Sequence, residues 1–168
     1  MNSAKTGTSC EKKQRGRWGE IMVDKYMEKN HWQATISNKI IRGGEIDRVY
    51  VRSYSQQLPH SICVSEIKTS TIHVAEDLVK YTTIANISRF IKKRQMQNLK
   101  RFGEHYAAQL THFNKQPLLH ARLFLVVRIL AKDGLSKSSL PNFPGKICTQ
   151  NAGYWILALD PDVAHLNF

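Results

Sequence analysis

Several features that would assign a 168-residue chain to a familiar class are missing from this sequence. No apolar run approaches the roughly 20 residues of a transmembrane helix, and the first residues lack the apolar core of a secretion signal. The cysteines at 10, 63 and 148 form no C-x-x-C pair, and the seven histidines show no zinc-ligand spacing. We therefore expect a cytoplasmic protein with reduced thiols, no membrane partner and no zinc site.

Acidic residues are also scarce. The chain holds 13 Asp+Glu against 25 Lys+Arg, a formal net charge of +12. Such a surplus favours polyanionic partners, because neutralising phosphates releases their counterions, and nucleic acid is the commonest such partner. The basic residues cluster, with five in residues 1–17 and six in residues 85–103. A basic surface that serves only solubility is the alternative interpretation.

The length and the hydrophobic fraction of 42% are those of a single domain with one core. Residues 1–15 are polar and show no periodicity, which predicts a flexible basic N-terminal arm before one domain over 16–168. Helical or strand periodicity predicts seven elements, in the order helix, three strands, helix, two strands: residues 16–29, 32–41, 45–52, 61–68, 87–110, 122–130 and 154–159. This order predicts an α/β fold with a mixed central sheet flanked by helices.

Two segments are less regular. Residues 69–86 fit no single pattern and could hold a short helix or an irregular connection. Gly103 interrupts the long second helix, where close packing is the expected reason for a glycine.

Two neighbouring predicted strands carry acids and a lysine. Residues two apart in a strand point to the same face, so Glu66 and Lys68 project together while Ile67 points the other way. If the hairpin pairs symmetrically about its loop, paired residue numbers sum to about 113, which sets Asp47 opposite Glu66 with side chains about 5 Å apart. Two carboxylates at that separation repel unless a cation lies between them.

This arrangement suits Mg²⁺, with Mn²⁺ as a substitute, because Mg²⁺ takes few carboxylate oxygens and accepts phosphate oxygens in its remaining positions. We expect Asp47 and Glu66 to bind the metal, with the carbonyl of Ile67 as a third ligand. Lys68 would orient or help deprotonate the attacking water and counter charge on the phosphate. An ordinary solvated Glu-Lys pair on a strand edge is the competing interpretation.

Four motifs, in order over roughly residues 16 to 110, resemble those of the PD-(D/E)xK nuclease superfamily, and within it the YraN-like bacterial proteins and the Holliday-junction resolvases. They are Gly16-x-x-Gly19-Glu20, Gly44-Glu45-Ile46-Asp47, Glu66-Ile67-Lys68-Thr69, and a Lys/Gln-bearing helix around Lys92 to Leu99 that ends in Gly103-x-x-Tyr106. The resemblance implies a restriction-endonuclease-like αβββαβ core, with Asp47 and Glu66 as metal ligands and Lys68 as the catalytic lysine. It also implies that Glu20 completes the acidic, metal-binding cluster.

The long helix offers three candidates for a contact with this site, Lys93, Gln95 and Gln97. Gln95 lies four residues after Ile91 and four before Leu99, on the buried stripe of the helix. Its amide therefore either reaches the catalytic cleft, to contact phosphate or a water on the metal, or is a satisfied core glutamine.

Basic side chains near these motifs are expected to follow the phosphate backbone, with surface solvation as the alternative: Arg15, Arg17, Arg42, Lys92, Lys93, Arg94, Lys100 and Arg101. Trp18 and Trp32 could stack on bases, but their spacing is more typical of core residues. Asp160 and Asp162 flank Pro161 and indicate a turn rather than a second metal site.

The sequence therefore predicts a Mg²⁺-dependent endonuclease that hydrolyses DNA phosphodiester bonds, with a preference for branched DNA implied only by the resemblance. One alternative is a nucleic-acid-binding subunit that keeps a nuclease-like fold without cutting. Another is a basic adaptor for an acidic protein, which would leave the paired acids unexplained. A junction resolver must cut two symmetry-related strands, so that activity would require a homodimer.

Overall fold

The computed structural model describes residues 9–41, 44–53, 60–74, 77, 93–110, 117–130, 143 and 145–159. Over these residues the chain is an α/β fold with two helices and one mixed sheet of six strands. The elements in chain order are α1 (Ser9–Lys29), β1 (Gln33–Ile41), β2 (Gly44–Arg52), β3 (Ser61–Ile72), α2 (Lys93–Gln109), β4 (Leu118–Ile129), β5 (Lys146–Gln150) and β6 (Tyr154–Leu159). Neither helix is long and apolar enough to cross a membrane.

The strand order in the sheet is β1-β2-β3-β4-β6-β5. Only β3 and β4 run parallel among these neighbours, and all the others are antiparallel. A parallel pair needs a crossover connection, which here includes α2. The mixed sheet and the antiparallel hairpin of β2 and β3 confirm the predicted arrangement.

The two helices cover opposite faces of the sheet. Val23 and Met27 of α1 pack in one cluster with Ile67 of β3, whereas Leu99 of α2 packs in another with Val64 of β3. Because successive strand residues point to opposite faces, odd-numbered residues of β3 face α1 and even-numbered residues face α2. Glu66 and Lys68 therefore belong to the face that α2 covers.

Gly103 lets α2 lie close to the sheet. A Cβ atom at this position would lie 2.7 Å from Cδ1 of Leu119 and 3.0 Å from Cγ2 of Val64. Both distances are shorter than normal carbon contacts, so a side chain here would push α2 away from β3 and β4. The close packing predicted for this glycine is confirmed.

The first helix begins at Ser9, so the predicted start at Gly16 is wrong and residues 9–15 are helical rather than part of a flexible arm. Residues 9–15 are all exposed and therefore carry no apolar stripe that a periodicity analysis could detect. Their Glu, Lys, Gln and Arg side chains have high helix propensity, which is enough to extend a helix that is already anchored by packing further along.

Two strand boundaries also differ from the predictions, and one strand was not predicted. β3 continues to Ile72 and β4 begins at Leu118, because the parallel ladder between them runs without interruption from Ser61↔Leu118 to Ile72↔Ile129. β5 was not predicted at all. It is a short edge strand whose register shifts between Ile147 and Thr149, so its sequence shows no regular alternation. The predicted start of the second helix, over residues 87–92, lies outside the described residues.

Candidate functional site

The predicted acid-and-lysine set lies where β2 separates from β3. The antiparallel ladder between these strands runs from Arg52↔Ser61 to Arg48↔Ser65, and the numbers of each pair sum to the predicted 113. The predicted hairpin register is therefore confirmed. Asp47 precedes Arg48, the last paired residue of β2. The same register therefore places Asp47 opposite Glu66 of β3.

Beyond the last backbone pair, the side chain of Asp47 takes the place of a backbone acceptor for β3. Its Oδ2 accepts a hydrogen bond of 2.6 Å from the backbone N–H of Ile67. The N–H and C=O of one residue in an extended strand point to the same side, so the carbonyl of Ile67 also faces the side where Asp47 lies. The side chain of Ile67 is buried in the core beneath α1. Asp47 and the carbonyl proposed as a third ligand thus share one edge of β3.

The carboxyl of Asp47 is electrostatically coupled to that of Glu66. Burial and the negative charge of Glu66 together raise the pKa of Asp47 from 3.8 to about 6, outweighing the opposing effects of the Ile67 N–H and of Lys68. The charge of Glu20 contributes a smaller increase in the same direction. This is the repulsion expected of neighbouring acids that have no cation between them.

Glu66 is nearly buried and receives donors from two elements. Its Oε1 accepts hydrogen bonds from Nζ of Lys68, on the same strand, and from Nε2 of Gln95 on α2, at 3.2 Å. The side chain of Glu66 is 8% exposed and that of Lys68 is 35% exposed, so Lys68 is the member of the pair that reaches the surface. The structure therefore brings Gln95 to the site, while Gln97 of the same helix is exposed.

Glu20 is turned toward a different partner. Its Oε2 lies 3.0 Å from Nη2 of Arg48, a residue of β2 that is only 8% exposed. The described part of the chain contains no group of three or more His, Cys, Asp or Glu side chains that could hold a metal ion. The geometry thus brings together the carboxylates of Asp47 and Glu66, whereas the carboxylate of Glu20 is held in an ion pair with Arg48.

Gly19 determines how closely α1 approaches this region. A Cβ atom at Gly19 would lie 2.0 Å from Oγ1 of Thr69, whereas Gly16, one turn earlier, has nothing within 4 Å of the same position. Only a glycine at 19 therefore allows α1 to pack this closely against Thr69, the residue that follows Lys68 on β3.

A buried polar network supports the site from the α1 side, and the sequence interpretation missed it. Nε of Arg48 donates to Asp24 at 3.1 Å, Nη1 donates to the carbonyl of Asp47 at 2.8 Å, and the hydroxyl of Tyr50 donates to Oδ1 of Asp24 at 2.7 Å. Burial and the bond to Asp24 raise the pKa of Tyr50. Glu20 and Asp24 are four residues apart and therefore lie on one face of α1. This spacing could have predicted that the two acids share a cationic partner.

The predicted phosphate-contacting residues do not all lie together. Five are exposed: Arg15 and Arg17 on α1, and Arg94, Lys100 and Arg101 on α2. Because α1 and α2 cover opposite faces of the sheet, these residues form two separate basic surfaces. Arg42 and Lys92 lie outside the described residues, as does the side chain of Lys93.

The two tryptophans considered for base stacking belong to the core. Trp18 packs its ring edge against Tyr154 with centroids 5.9 Å apart, and Trp32 is 7% exposed. The guanidinium of Arg128 lies 5.9 Å from the centre of the Trp18 ring and that of Arg52 lies 4.8 Å from the centre of the Trp32 ring, so stacking on bases is not supported by their positions. The predicted turn at Asp160 and Asp162 lies outside the described residues.

A scan against protein-family models and searches of curated proteins and of solved structures found no match. The interpretation of the site therefore depends on its own geometry: paired carboxylates, a lysine that reaches the surface, and an amide from the facing helix. This set can bind a divalent cation and present a positive charge to a phosphate.

Proposed function

We propose that the chain is a Mg²⁺-dependent endonuclease that hydrolyses DNA phosphodiester bonds on a restriction-endonuclease-like core. The observation that carries the proposal is the meeting of Asp47, Glu66 and Lys68 where β2 leaves β3. In the PD-(D/E)xK nucleases that these motifs resemble, the matching residues are the metal-binding acids and the catalytic lysine. The net charge of +12 supports a polyanionic substrate.

The donor set fits Mg²⁺. Asp47 and Glu66 would supply carboxylate oxygens. Burial and the charge of Glu66 raise the pKa of Asp47, and a cation between the two acids would offset both effects. The Ile67 carbonyl is a neutral oxygen on the same edge, and Mg²⁺ in proteins prefers a small number of such oxygen ligands. When bound, the ion would supply Lewis-acid polarisation of the phosphoryl oxygens.

The chain's own residues have distinct roles in this proposal. The ammonium of Lys68 is held by Glu66 and is partly exposed, so it can donate to a phosphate oxygen or orient an attacking water. The amide of Gln95 fixes the orientation of Glu66 from the α2 side. Glu20 adds negative charge near Asp47 while its own carboxylate is paired with Arg48. The exposed Arg94 and Arg101 of α2 would follow the DNA backbone.

A nucleic-acid-binding subunit that does not cut is the second candidate. The observation that favours it is the ion pair between Arg48 and Glu20, which leaves Asp47 and Glu66 as the acids that face each other. Both candidates predict DNA binding that weakens steeply with salt, because that property depends on the basic surface alone. They differ only in whether metal-dependent cleavage occurs.

The test is a cleavage assay on plasmid, linear duplex and four-way-junction DNA with Mg²⁺, Mn²⁺ or EDTA. Wild type should cut only with metal, and Glu66→Gln or Lys68→Met should lower the rate about 100-fold or more, as for loss of a charge that stabilises the transition state. Glu104→Gln on α2 and Lys25→Gln on α1, both at exposed positions outside the predicted site and DNA contacts, are the matched controls and should retain full activity.

Salt-dependent DNA binding by the wild type without any metal-dependent cutting would favour the non-cleaving subunit. Faster cleavage of the junction than of linear duplex would support an endonuclease specific for branched DNA. Such an activity requires two symmetric cuts, so it also predicts a homodimer by analytical ultracentrifugation. A monomer that cuts linear duplex equally well would restrict the proposal to a general endonuclease.

A further inference from the structure

A second polar pocket lies on the opposite face of the sheet from the candidate site. It has a volume of about 160 Å³ and is lined by residues of α1 and of three strands, among them Tyr26, Trp32, Arg52, His120, Arg122 and Lys146. Tyr26 and Trp32 belong to the cluster beneath α1, whereas Glu66 is bonded to α2. Along β2, Arg52 is five residues from Asp47, about 17 Å at strand spacing. The pocket is therefore distinct from the proposed metal site.

The described residues that line this pocket carry charge of one sign. Arg52 comes from β2, Arg122 from β4 and Lys146 from the start of β5, and none of the described lining residues is Asp or Glu. The imidazole of His120 is a further nitrogen group in the lining. Cations contributed by three separate strands give a concave surface a positive potential that attracts small anions.

The orientation of the donors is fixed by packing. The guanidinium of Arg52 lies 4.8 Å from the centre of the Trp32 ring, and His120 meets the same ring edge-on with centroids 5.8 Å apart. A guanidinium held over an aromatic face loses little freedom when it binds an anion. Burial and a hydrogen bond with Cys148 raise the pKa of Tyr26 to about 12, so its hydroxyl keeps its proton at neutral pH.

We propose that this pocket binds a phosphate group. The planar fork of arginine matches the oxygens of phosphate, and two arginines with a lysine supply charge-assisted donors from several directions. The volume of about 160 Å³ is below the roughly 300–1,000 Å³ of pockets that enclose drug-sized ligands, so the phosphate enters and the remainder of its molecule stays outside. Trp32 is almost fully buried and offers no platform for a base. The proposal does not depend on the cleavage activity.

Isothermal titration with inorganic phosphate, at fixed ionic strength, tests this site in the full chain. Wild type should bind phosphate saturably, and Arg122→Gln and Lys146→Gln should each weaken binding about tenfold. Lys146 is exposed at the start of an edge strand, so its variant keeps the core intact if Arg122→Gln folds poorly. Lys39→Gln removes the same charge from the side of the sheet that α2 covers, where Lys39 lies over the Phe102 ring, and should bind phosphate as wild type does.

The source of the phosphate is distinguished with a short DNA strand carrying either a 5′-phosphate or a 5′-hydroxyl. Tighter binding of the phosphorylated strand, lost in Lys146→Gln, would assign the pocket to a nucleic-acid end. Equal binding of the two strands, with inorganic phosphate still held at the pocket, would assign it to a free phosphate or a small phosphorylated molecule. No phosphate binding by wild type, or equal weakening in Lys39→Gln, would overturn the proposal.

Discussion

The backbone N–H of Ile67 donates a hydrogen bond to Oδ2 of Asp47, at 2.6 Å, where β2 and β3 cease to pair. The bond ties the acid of one strand to the backbone of the next and directs it toward the carboxyl of Glu66. It stabilises the ionised form of Asp47, but burial and the charge of Glu66 outweigh it. Asp47 is thus held in a position that favours a proton or a cation.

This balance predicts an unusual dependence of stability on pH in the metal-free protein. The pKa of Asp47 is raised from 3.8 to about 6, so between these values the folded state binds more protons than the unfolded state. The contribution of Asp47 therefore stabilises the fold in mild acid and is lost as the pH rises through about 4 to 6, by at most about 3 kcal/mol.

Chemical denaturation in EDTA, compared with Asp47→Asn across this pH range, measures the effect. The variant cannot lose a proton, so its free energy of unfolding should exceed that of wild type by more at pH 7 than at pH 4. A difference between the two proteins that is constant with pH would contradict the raised pKa.

Magnesium should stabilise the folded chain through the same acids. Binding to the folded state alone raises the free energy of unfolding, by about 2.7 kcal/mol at a hundred times the dissociation constant. The increase in melting temperature over EDTA should be larger at pH 7 than at pH 5, because Asp47 must be deprotonated to bind metal. Glu66→Gln should reduce the shift strongly and Glu104→Gln should not. Equal increases in melting temperature in both variants would mean that the cation binds at a site other than Asp47 and Glu66.

Arg48 is expected to be one of the strongest contributors to stability among the charged residues near the site. Arg48→Met would leave the partly exposed carboxylates of Glu20 and Asp24 without their buried partner and should cost about 1–3 kcal/mol, because water screens part of the loss. Tyr50→Phe removes one hydrogen bond to Asp24 and should cost about 1–2 kcal/mol. Urea denaturation measures both losses.

The double variant Arg48→Met with Asp24→Asn provides the control. It removes one of the two uncompensated charges, so it should recover part of the stability lost in Arg48→Met alone. Purely additive losses would mean that the network contributes through packing and not through charge.

Gly19 and Gly16 form a matched pair on the same helix. Gly19→Ala would bring a methyl group to 2.0 Å from Oγ1 of Thr69 and should destabilise the fold by about 1–3 kcal/mol, as overpacking does. Gly16→Ala meets no atom within 4 Å and should stabilise the helix by about 0.5–1 kcal/mol. Thermal unfolding of both variants checks the opposite signs. Thr69→Ala combined with Gly19→Ala should recover much of the loss, since it removes the atom in conflict.

The sequence was sufficient where a pattern depends on strand geometry alone. The hairpin register that places Asp47 beside Glu66 follows from loop symmetry, and the same-face placement of Glu66 and Lys68 follows from the two-residue period. Both agree with the structure. The close contact at Gly103 was also accessible, because a glycine inside an amphipathic helix needs a packing reason.

The features that the sequence did not predict depend on tertiary contacts, which no local sequence pattern encodes. Glu20 was assigned to the acidic cluster, but whether it faces a metal or a cation depends on Arg48, which lies on a different element. The strand β5 exists because it pairs with β6, and the helical residues 9–15 are stabilised as an extension of a packed helix. Such features become visible only when the partners are placed in space.

Gln95 and Gln97 allow the two interpretations of the α2 amide to be separated. Nε2 of Gln95 donates to Glu66, whereas Gln97 is exposed, and leucine at either position preserves helix propensity. If Gln95 orients the carboxylate for metal and phosphate, Gln95→Leu should lower kcat for DNA cleavage and the affinity for Mg²⁺ about tenfold, with DNA binding unchanged. Gln97→Leu should leave all three quantities as in wild type. A core glutamine would give the reverse pattern, a lower melting temperature with kcat and Mg²⁺ affinity retained, because only its hydrogen bond within the fold would be lost.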